Sequence, residues 1–102
     1  MGIRQWLCKW LCDRNESFNG TTVDSIRVTI TDVDNAKWAL VHSAFSEMQV
    51  TRNGVVDLRT TAVIRLLYWN HRVYQQTHWG WWFWYSGAWL SVDHDPRPSN
   101  RE

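Results

Sequence analysis

The stretch WGWWFWYSGAWL at residues 79–90 limits the folds open to this chain more than any other feature. Six of the seven residues from Trp79 to Tyr85 are aromatic. Bulky rings fit a pleated strand better than a helix, and the Ser86-Gly87 pair that follows is typical of a tight turn. The stretch therefore predicts a strand that folds back on AWLSV as a β-hairpin.

The predicted strand has no polar face, because successive side chains of a strand point to opposite sides. One side comprises Trp79, Trp81, Phe83 and Tyr85, and the other comprises Trp82 and Trp84. Such a strand is either central in a sheet covered on both faces or in contact with lipid headgroups, single-stranded nucleic acid or another protein. We expect one face to pack on the domain's own helix. The other face, together with Trp89, is expected to meet a second copy of the chain or a lipid surface.

The composition is that of one folded domain. A length of 102 residues fits a single domain, and 44% apolar against 21% charged residues argues against disorder. Nine tryptophans exceed what a core of this size easily hides, since each one buries roughly 150–250 Å². The formal net charge of +1 argues against a nucleic-acid binder that relies on overall charge.

Residues 1–14 carry the spacing of an amphipathic helix. The apolar arc of this predicted helix is formed by Ile3, Trp6, Leu7, Trp10 and Leu11. Cys8 and Cys12 lie just beyond the arc, and the polar side is basic. Such a helix either packs its apolar stripe on the domain or lies in the interface of a membrane.

The two thiols beside a tryptophan-bearing arc favour the membrane, because this is the composition of an interfacial helix that is acylated. We expect palmitoylation of Cys8 or Cys12 in a protein that faces a reducing cytosol. Gly2 would become the N-terminus after removal of Met1, but Trp6 breaks the pattern for myristoylation.

Between these two features, strand and helix patterns alternate. In VDSIRVTITD, apolar residues at 26, 28 and 30 alternate with polar ones and predict a half-buried strand. Apolar residues at helical spacing predict a helix over 35–48. A second helix is predicted over 57–69, against the strand preference of its β-branched residues. Asn53-Gly54 marks a turn between them, either in a hairpin or at a helix end.

These patterns together predict an α+β fold, in which an antiparallel sheet packs against one or two helices. The compact domain is expected over residues 20–93 and follows the N-terminal helix at 1–14. The polar residues 94–102 contain both prolines and predict a flexible tail.

Motifs for catalysis and for metal binding are missing from the sequence. The histidines show no C-x-x-C or H-E-x-x-H spacing; they are His42, His71, His78 and His94. The sequence also has no P-loop and no nucleophile elbow. We expect a protein that is not an enzyme and that uses no cofactor, no metal and no small-molecule substrate.

Basic residues gather in the middle of the chain. Residues 49–75 hold four arginines and a single acid, Asp57, and therefore have a local net charge of +3. The candidate phosphate-binding residues are Arg52, Arg59, Arg65 and Arg72. They either meet the phosphates of lipid headgroups or RNA or lie solvated on one element.

Two short strings, TITD at 29–32 and SGAWL at 86–90, resemble the C-terminal part of rhabdovirus-type matrix proteins. The resemblance spans roughly residues 22–93 and includes the predicted order of strand, helix, second helix and hairpin. It implies peripheral membrane association, self-assembly and contact with a nucleocapsid. The cysteine-bearing N-terminus is similar instead to that of small lipid-anchored viral accessory proteins.

The sequence thus predicts a cytoplasmic, peripheral membrane protein with a structural or adaptor role, viral in origin, which forms homo-oligomers through its aromatic strand. Its predicted partners are a membrane surface and a nucleocapsid or RNA. The alternative is a soluble nucleic-acid-binding module that uses Arg65, Arg72 and stacking on the tryptophan strand.

Overall fold

The computed structural model describes residues 16–44 and 47–98, and this part of the chain contains nine β-strands and no helix. In chain order the strands are β1 (Thr22–Val23), β2 (Ile30–Thr31), β3 (Lys37–His42), β4 (Met48–Arg52), β5 (Val55–Val56), β6 (Val63–Trp69), β7 (Arg72–Thr77), β8 (Gly80–Tyr85) and β9 (Ala88–Val92). They form two antiparallel sheets: a five-stranded sheet in the order β1-β6-β7-β8-β9 and a four-stranded sheet in the order β2-β3-β4-β5.

Tight two-residue turns join neighbouring strands of both sheets. Ser86 and Gly87 connect β8 to β9 with φ angles of 51° and 88°, which confirms the predicted hairpin. Asn53-Gly54 connects β4 to β5 in the same way. Positive φ at both turn positions is the signature of the turn type whose twist matches that of antiparallel strands, so both dipeptides act as hairpin turns.

The main hydrophobic core lies between the two sheets. Trp38 and Leu40 from β3 and Val50 from β4 are almost fully buried against Leu66 and Tyr68 from β6. A second, smaller cluster lies on the opposite side of the five-stranded sheet; it consists of Leu67, Tyr74 and Trp81, with Trp69, Phe83 and Val92 packed against them. We call the side facing the main core the inner face and the other side the outer face.

The predicted α+β fold is wrong, because the described residues form sheets where helices were expected. Residues 35–48 contain β3, whose side chains Trp38 and Leu40 are buried while Lys37 is exposed. Burial therefore alternates from one residue to the next, as it does in a strand. Val41 is also apolar, and its spacing from Trp38, Phe45 and Met48 along the sequence fits a helix, which misled the prediction.

The predicted helix over 57–69 is likewise replaced, mainly by strand β6. Its β-branched residues, which the helix prediction overrode, fit the pleated surface that they occupy. The strand predicted in VDSIRVTITD shrinks to two short strands, β1 and β2. Between them Ile26 and Val28 are 52% and 43% exposed.

The predicted N-terminal helix at 1–14, with its candidate lipidation sites, lies outside the described residues. In the described part of the chain, no helix is long and apolar enough to cross a membrane. Of the predicted tail, residues 94–98 are described. There Arg97 forms an ion pair with Asp95 at 2.6 Å.

Candidate functional site: a tryptophan groove

Strand β8 divides its rings between the two faces of the five-stranded sheet. Trp84 joins the main core on the inner face, whereas Trp81 and Phe83 belong to the outer cluster. The ring of Tyr85 lies 6.4 Å from that of Phe83. The sequence predicted this alternation. It also predicted a helix that covers one face of the strand, whereas in the structure a second sheet covers the inner face.

Trp79 departs from the predicted alternation. It precedes β8 and lies in the turn between β7 and β8, where its backbone N–H donates to the hydroxyl oxygen of Thr77 at 3.0 Å. Because a turn residue does not follow the alternation of the strand, Trp79 lines the same groove as Trp82. Trp81 lies in the cluster on the opposite face.

Three indole rings meet edge to face beside this groove. The ring centroids of Trp38 and Trp84 are 5.2 Å apart, and Trp89 lies 5.7 Å from Trp38 and 5.3 Å from Trp84. The Arg52 guanidinium lies 5.6 Å from the rings of both Trp38 and Trp84. Edge-to-face pairs and cation–π contacts are both favourable, so the position of Trp89 is fixed from one side.

Asp57 fixes the same tryptophan from the other side. Its carboxylate accepts a hydrogen bond from Trp89 Nε1 at 2.9 Å, two from the Arg59 guanidinium at 2.9 and 3.0 Å, and one from the backbone N–H of Arg59 at 3.0 Å. The side-chain bond from Arg59 is the main cause that lowers the pKa of Asp57 below its ordinary value; burial opposes the shift and the bond from Trp89 adds to it. The third guanidinium nitrogen of Arg59 donates to the carbonyl oxygen of Gly87 at 3.0 Å.

These residues border a groove of about 400 Å³ on the inner face, which we call the tryptophan groove. It is lined by Arg59, Thr60, Thr61, Gln75, Thr77, Trp79, Trp82, Ala88 and Trp89. None of these lining residues belongs to the four-stranded sheet, so the groove opens where that sheet stops covering the inner face. Its volume lies in the range of about 300–1,000 Å³ that is typical of ligand sites.

Gln75 is the most informative residue of the tryptophan groove. It lies opposite Trp82 in the pairing of β7 with β8 and is only 5% exposed. Its side-chain oxygen Oε1 is buried and accepts no hydrogen bond from the described residues. A buried acceptor without a partner costs about 1–3 kcal/mol. The Oε1 atom of the neighbouring Gln76 is buried in the same way, but Gln75 lines the groove, where a turn of its amide would bring this oxygen to a ligand donor and remove that cost.

Two threonines complete the polar part of the groove. Thr77 Oγ1 accepts the hydrogen bond from Trp79, which leaves its own hydroxyl hydrogen for a ligand. Thr60 has a structural role: its hydroxyl donates to the carbonyl oxygen of Asp57 at 2.7 Å and accepts from the N–H of Val50 at 2.9 Å. These bonds anchor the segment that carries Arg59 to strand β4.

The outer face of the β8–β9 hairpin has a different character. Tyr85 is 60% exposed and Leu90 is 42% exposed, and Leu90 lies opposite Phe83 in the β8–β9 pairing. The Arg72 guanidinium lies 4.8 Å from the centre of the Phe83 ring. We call Arg72, Phe83, Tyr85 and Leu90 the outer patch.

The structure does not bring the four predicted phosphate-binding arginines together. Arg52 and Arg59 both lie 5.6 Å from the Trp84 ring, whereas Arg72 lies on the outer patch. Arg65 pairs with Gln76 in the β6–β7 ladder, and its Nε is buried without a partner among the described residues. A phosphate site made by all four remains a prediction from the sequence.

The remaining predicted site residues lie outside the described chain. They are the candidate lipidation residues Gly2, Ile3, Trp6, Leu7, Cys8, Trp10, Leu11 and Cys12. Within residues 16–44 and 47–98, no group of three or more His, Cys, Asp or Glu side chains could hold a metal ion.

Sequence reasoning missed Asp57, Gln75 and Thr77 as parts of a site. The available signal was the run RVYQQT at 72–77, which places Val73, Gln75 and Thr77 on one face if it forms a strand. A strand interpretation of this run would have placed Gln75 on the same face as the main core.

The helix predicted over 35–48 within the matrix-protein resemblance is replaced by strand β3, and the resemblance itself stays a prediction from the sequence. TITD overlaps β2, and SGAWL forms the β8–β9 turn and the start of β9. No protein-family model, no curated protein and no solved structure matches the chain.

Proposed function

We propose that the protein is a non-enzymatic binding module whose tryptophan groove holds a ligand against Trp82 and Trp89. The proposal rests on the surroundings of Gln75. This side chain is almost fully buried, and its carbonyl oxygen has no partner among the described residues. Since buried polar groups in folded proteins are nearly always hydrogen-bonded, an unpartnered acceptor in a groove indicates a bond that a ligand completes.

The rigidity of the groove supports the same function. Trp89 is held by Asp57 on one side and by two neighbouring indoles on the other, and the Thr60 hydroxyl anchors the adjoining loop. A site that is ordered before the ligand arrives loses less conformational entropy on binding. The only ionisable lining residue is Arg59, which is paired with Asp57, so the described groove offers no acid–base pair.

The proposal is tested by titrating the full chain with a fragment library and recording the NMR signals of the side-chain N–H groups at each step. We expect ring-shaped ligands to shift the indole N–H signals of Trp82 and Trp89 and the amide signals of Gln75. Trp82→Ala should remove these shifts, whereas Phe83→Ala, on the opposite face of the same strand, should retain them. If no fragment at millimolar concentration shifts the groove signals, the proposal is wrong.

A second function, self-association in a structural or adaptor role, is supported by the outer patch. Tyr85 and Leu90 are large, apolar and well exposed, and the Arg72 guanidinium lies over the ring of Phe83 in the same patch. Aromatic residues and arginine are enriched at protein interfaces. We propose that two copies meet through this patch. Attachment to a membrane through residues 1–14 stays a prediction from the sequence.

We do not propose the alternative of a nucleic-acid-binding module. It requires arginines and tryptophans on one surface, so that phosphates and bases are contacted together. Here the predicted arginines are divided between the two faces of the five-stranded sheet, and Arg59, beside the groove, is already paired with Asp57.

A further inference from the structure

We infer that the ligand of the tryptophan groove is a neutral sugar ring, a pyranose unit of an oligosaccharide. This inference rests on the proposed binding function and adds the chemical class of the ligand. Three properties of the groove support it. Among the described residues the groove has no unpaired charge, its walls are aromatic, and its unpartnered atom, Gln75 Oε1, is a hydrogen-bond acceptor.

The charge of the groove disfavours strongly anionic ligands. Arg59 is the single charged residue among the described lining residues. Its guanidinium donates to both oxygens of Asp57 and to the carbonyl oxygen of Gly87. A phosphate or carboxylate placed here would lose its hydration without gaining a free cation, which is unfavourable. A neutral ligand avoids this cost.

The groove is lined by indole rings, which suit the flat side of a sugar. Trp82 and Trp89 are partly buried in the groove, and Trp79 is 70% exposed at its edge. The face of an indole ring is slightly negative. The C–H bonds on the flat side of a pyranose are slightly positive, so the two surfaces attract each other weakly in addition to burying apolar area. The hydroxyl groups then lie around the rim of the sugar, where Gln75 and Thr77 can reach them.

The unpartnered atom distinguishes a sugar from a proline-rich peptide, which also stacks on aromatic grooves. Gln75 Oε1 is an acceptor, and a proline offers no N–H to it. A sugar hydroxyl donates and accepts, so it can donate to Gln75 and accept from Thr77.

Trp79 indicates that more than one sugar unit is bound. It lies beyond the end of β7, in the turn that leads to β8, and its large exposed ring offers a further flat surface next to the groove. A chain of sugars that crosses Trp89 and Trp82 can extend onto Trp79. We therefore expect oligosaccharides to bind more tightly than their monosaccharides.

Calorimetric titration of the full chain with four neutral hexasaccharides, of glucose in α and β linkage, of mannose and of N-acetylglucosamine, tests the inference. Oligothymidylate and a proline decapeptide serve as competing probe classes. We expect at least one hexasaccharide to bind, with an affinity that stays constant when the salt concentration is raised about tenfold, because no ion pairs form. Trp82→Ala should weaken that binding about tenfold.

Gln75→Met separates a binding role from a structural one. The substitution keeps the length of the side chain and removes the unpartnered acceptor, so the melting temperature should stay the same or rise. Sugar binding should nevertheless weaken about tenfold. A variant that loses stability and keeps its sugar affinity would overturn the role assigned to Gln75 and, with it, the inference.

The three probe classes keep this inference distinguishable from the function on which it rests. If the oligonucleotide or the peptide binds at Trp82 and none of the four sugars does, the inference is wrong and the groove remains a binding site. If none of the probes binds, the sugar inference is wrong, and the fragment titration described above decides whether the groove binds anything else.

Discussion

The two faces of strand β8 carry the same kind of side chain and meet different surroundings. On the inner face, Trp84 contacts two other indoles and two guanidinium groups. On the outer face, Phe83 contacts Tyr74 and Tyr85 from its own sheet, and Tyr85 is 60% exposed. The apolar character of the strand is similar on both sides, so the difference comes from what the rest of the chain places against each face.

The inner face and the four-stranded sheet packed against it are distinguished by their acids as much as by their rings. The indole N–H of Trp38 donates to Asp32 at 2.9 Å, and that of Trp89 donates to Asp57 at the same distance. A buried indole needs such an acceptor, and each acid also fixes the ring in place. Aromatic residues in this protein therefore form a defined core or a defined groove where polar partners orient them. On the outer face, Phe83 and Tyr85 contact mainly other rings of their own sheet and form part of the protein surface.

Removing a central indole should produce the largest difference between the faces. Trp38 is fully buried between the sheets, so Trp38→Ala should lower the free energy of unfolding by about 3–5 kcal/mol. That is a large part of the roughly 5–15 kcal/mol typical of a domain. Phe83→Ala on the partly buried outer face should cost about 1 kcal/mol. Urea denaturation of both variants measures the difference, and equal losses would contradict the contrast between the faces.

Asp57→Asn should have the next largest effect, because it weakens the bonds to Arg59 and Trp89 together. We expect a loss of about 1–2 kcal/mol at neutral pH, since these are charge-assisted bonds at a partly exposed site. The folded state lowers the pKa of Asp57 below its ordinary value of 3.8. The stabilisation is therefore complete above that value and disappears as the pH falls through the lower folded pKa.

The pH dependence of the free energy of unfolding serves as the control for Asp57→Asn. Asp95, whose pKa is lowered chiefly by Arg97, is present in both proteins, so its contribution cancels in the difference. The stability gap between the native protein and Asp57→Asn should be constant from neutral pH down to about pH 5 and should close in stronger acid. A gap that persists unchanged to pH 2 would show that the carboxylate charge contributes nothing.

Local patterns predicted the parts of the fold that depend on neighbouring residues. The Ser86-Gly87 turn and the alternation along β8 follow from a dipeptide and from a period of two, and both appear in the structure. Asn53-Gly54 was recognised as a turn, although its role in a hairpin was left open. These features are encoded within a few residues, so one sequence is enough to predict them.

The candidate site depends on contacts between distant residues. Asp57 meets Trp89 across 32 positions of the chain, and Gln75 reaches the groove only because it lies opposite Trp82 in the sheet. The helix predicted over 57–69 concealed both relations, because it removed β6 from the sheet that positions Gln75. Apolar residues at nearly every position of β3 also hid its alternation, so the strand pattern was not decisive there.

The double variant Tyr85→Ser with Leu90→Ser should change stability the least. It is also the most direct test of the outer face. Both side chains are well exposed on the outer patch, so the free energy of unfolding should change by no more than about 0.5 kcal/mol per site. If the patch joins two copies, the native protein should dimerise as its concentration rises and the double variant should stay monomeric. Sedimentation velocity over a range of concentrations measures this.

Ile26→Ser is the matched control for this last prediction. Ile26 is 52% exposed and lies between β1 and β2, outside the outer patch. Its loss removes about as much exposed apolar surface as the loss of Leu90 alone, which is 42% exposed, and should leave dimerisation unchanged. If the control weakens association as much as the double variant does, association reflects general hydrophobicity and not the patch. If the native protein stays monomeric at every concentration, the rings of the outer patch do not join two copies, and the proposed self-association is wrong.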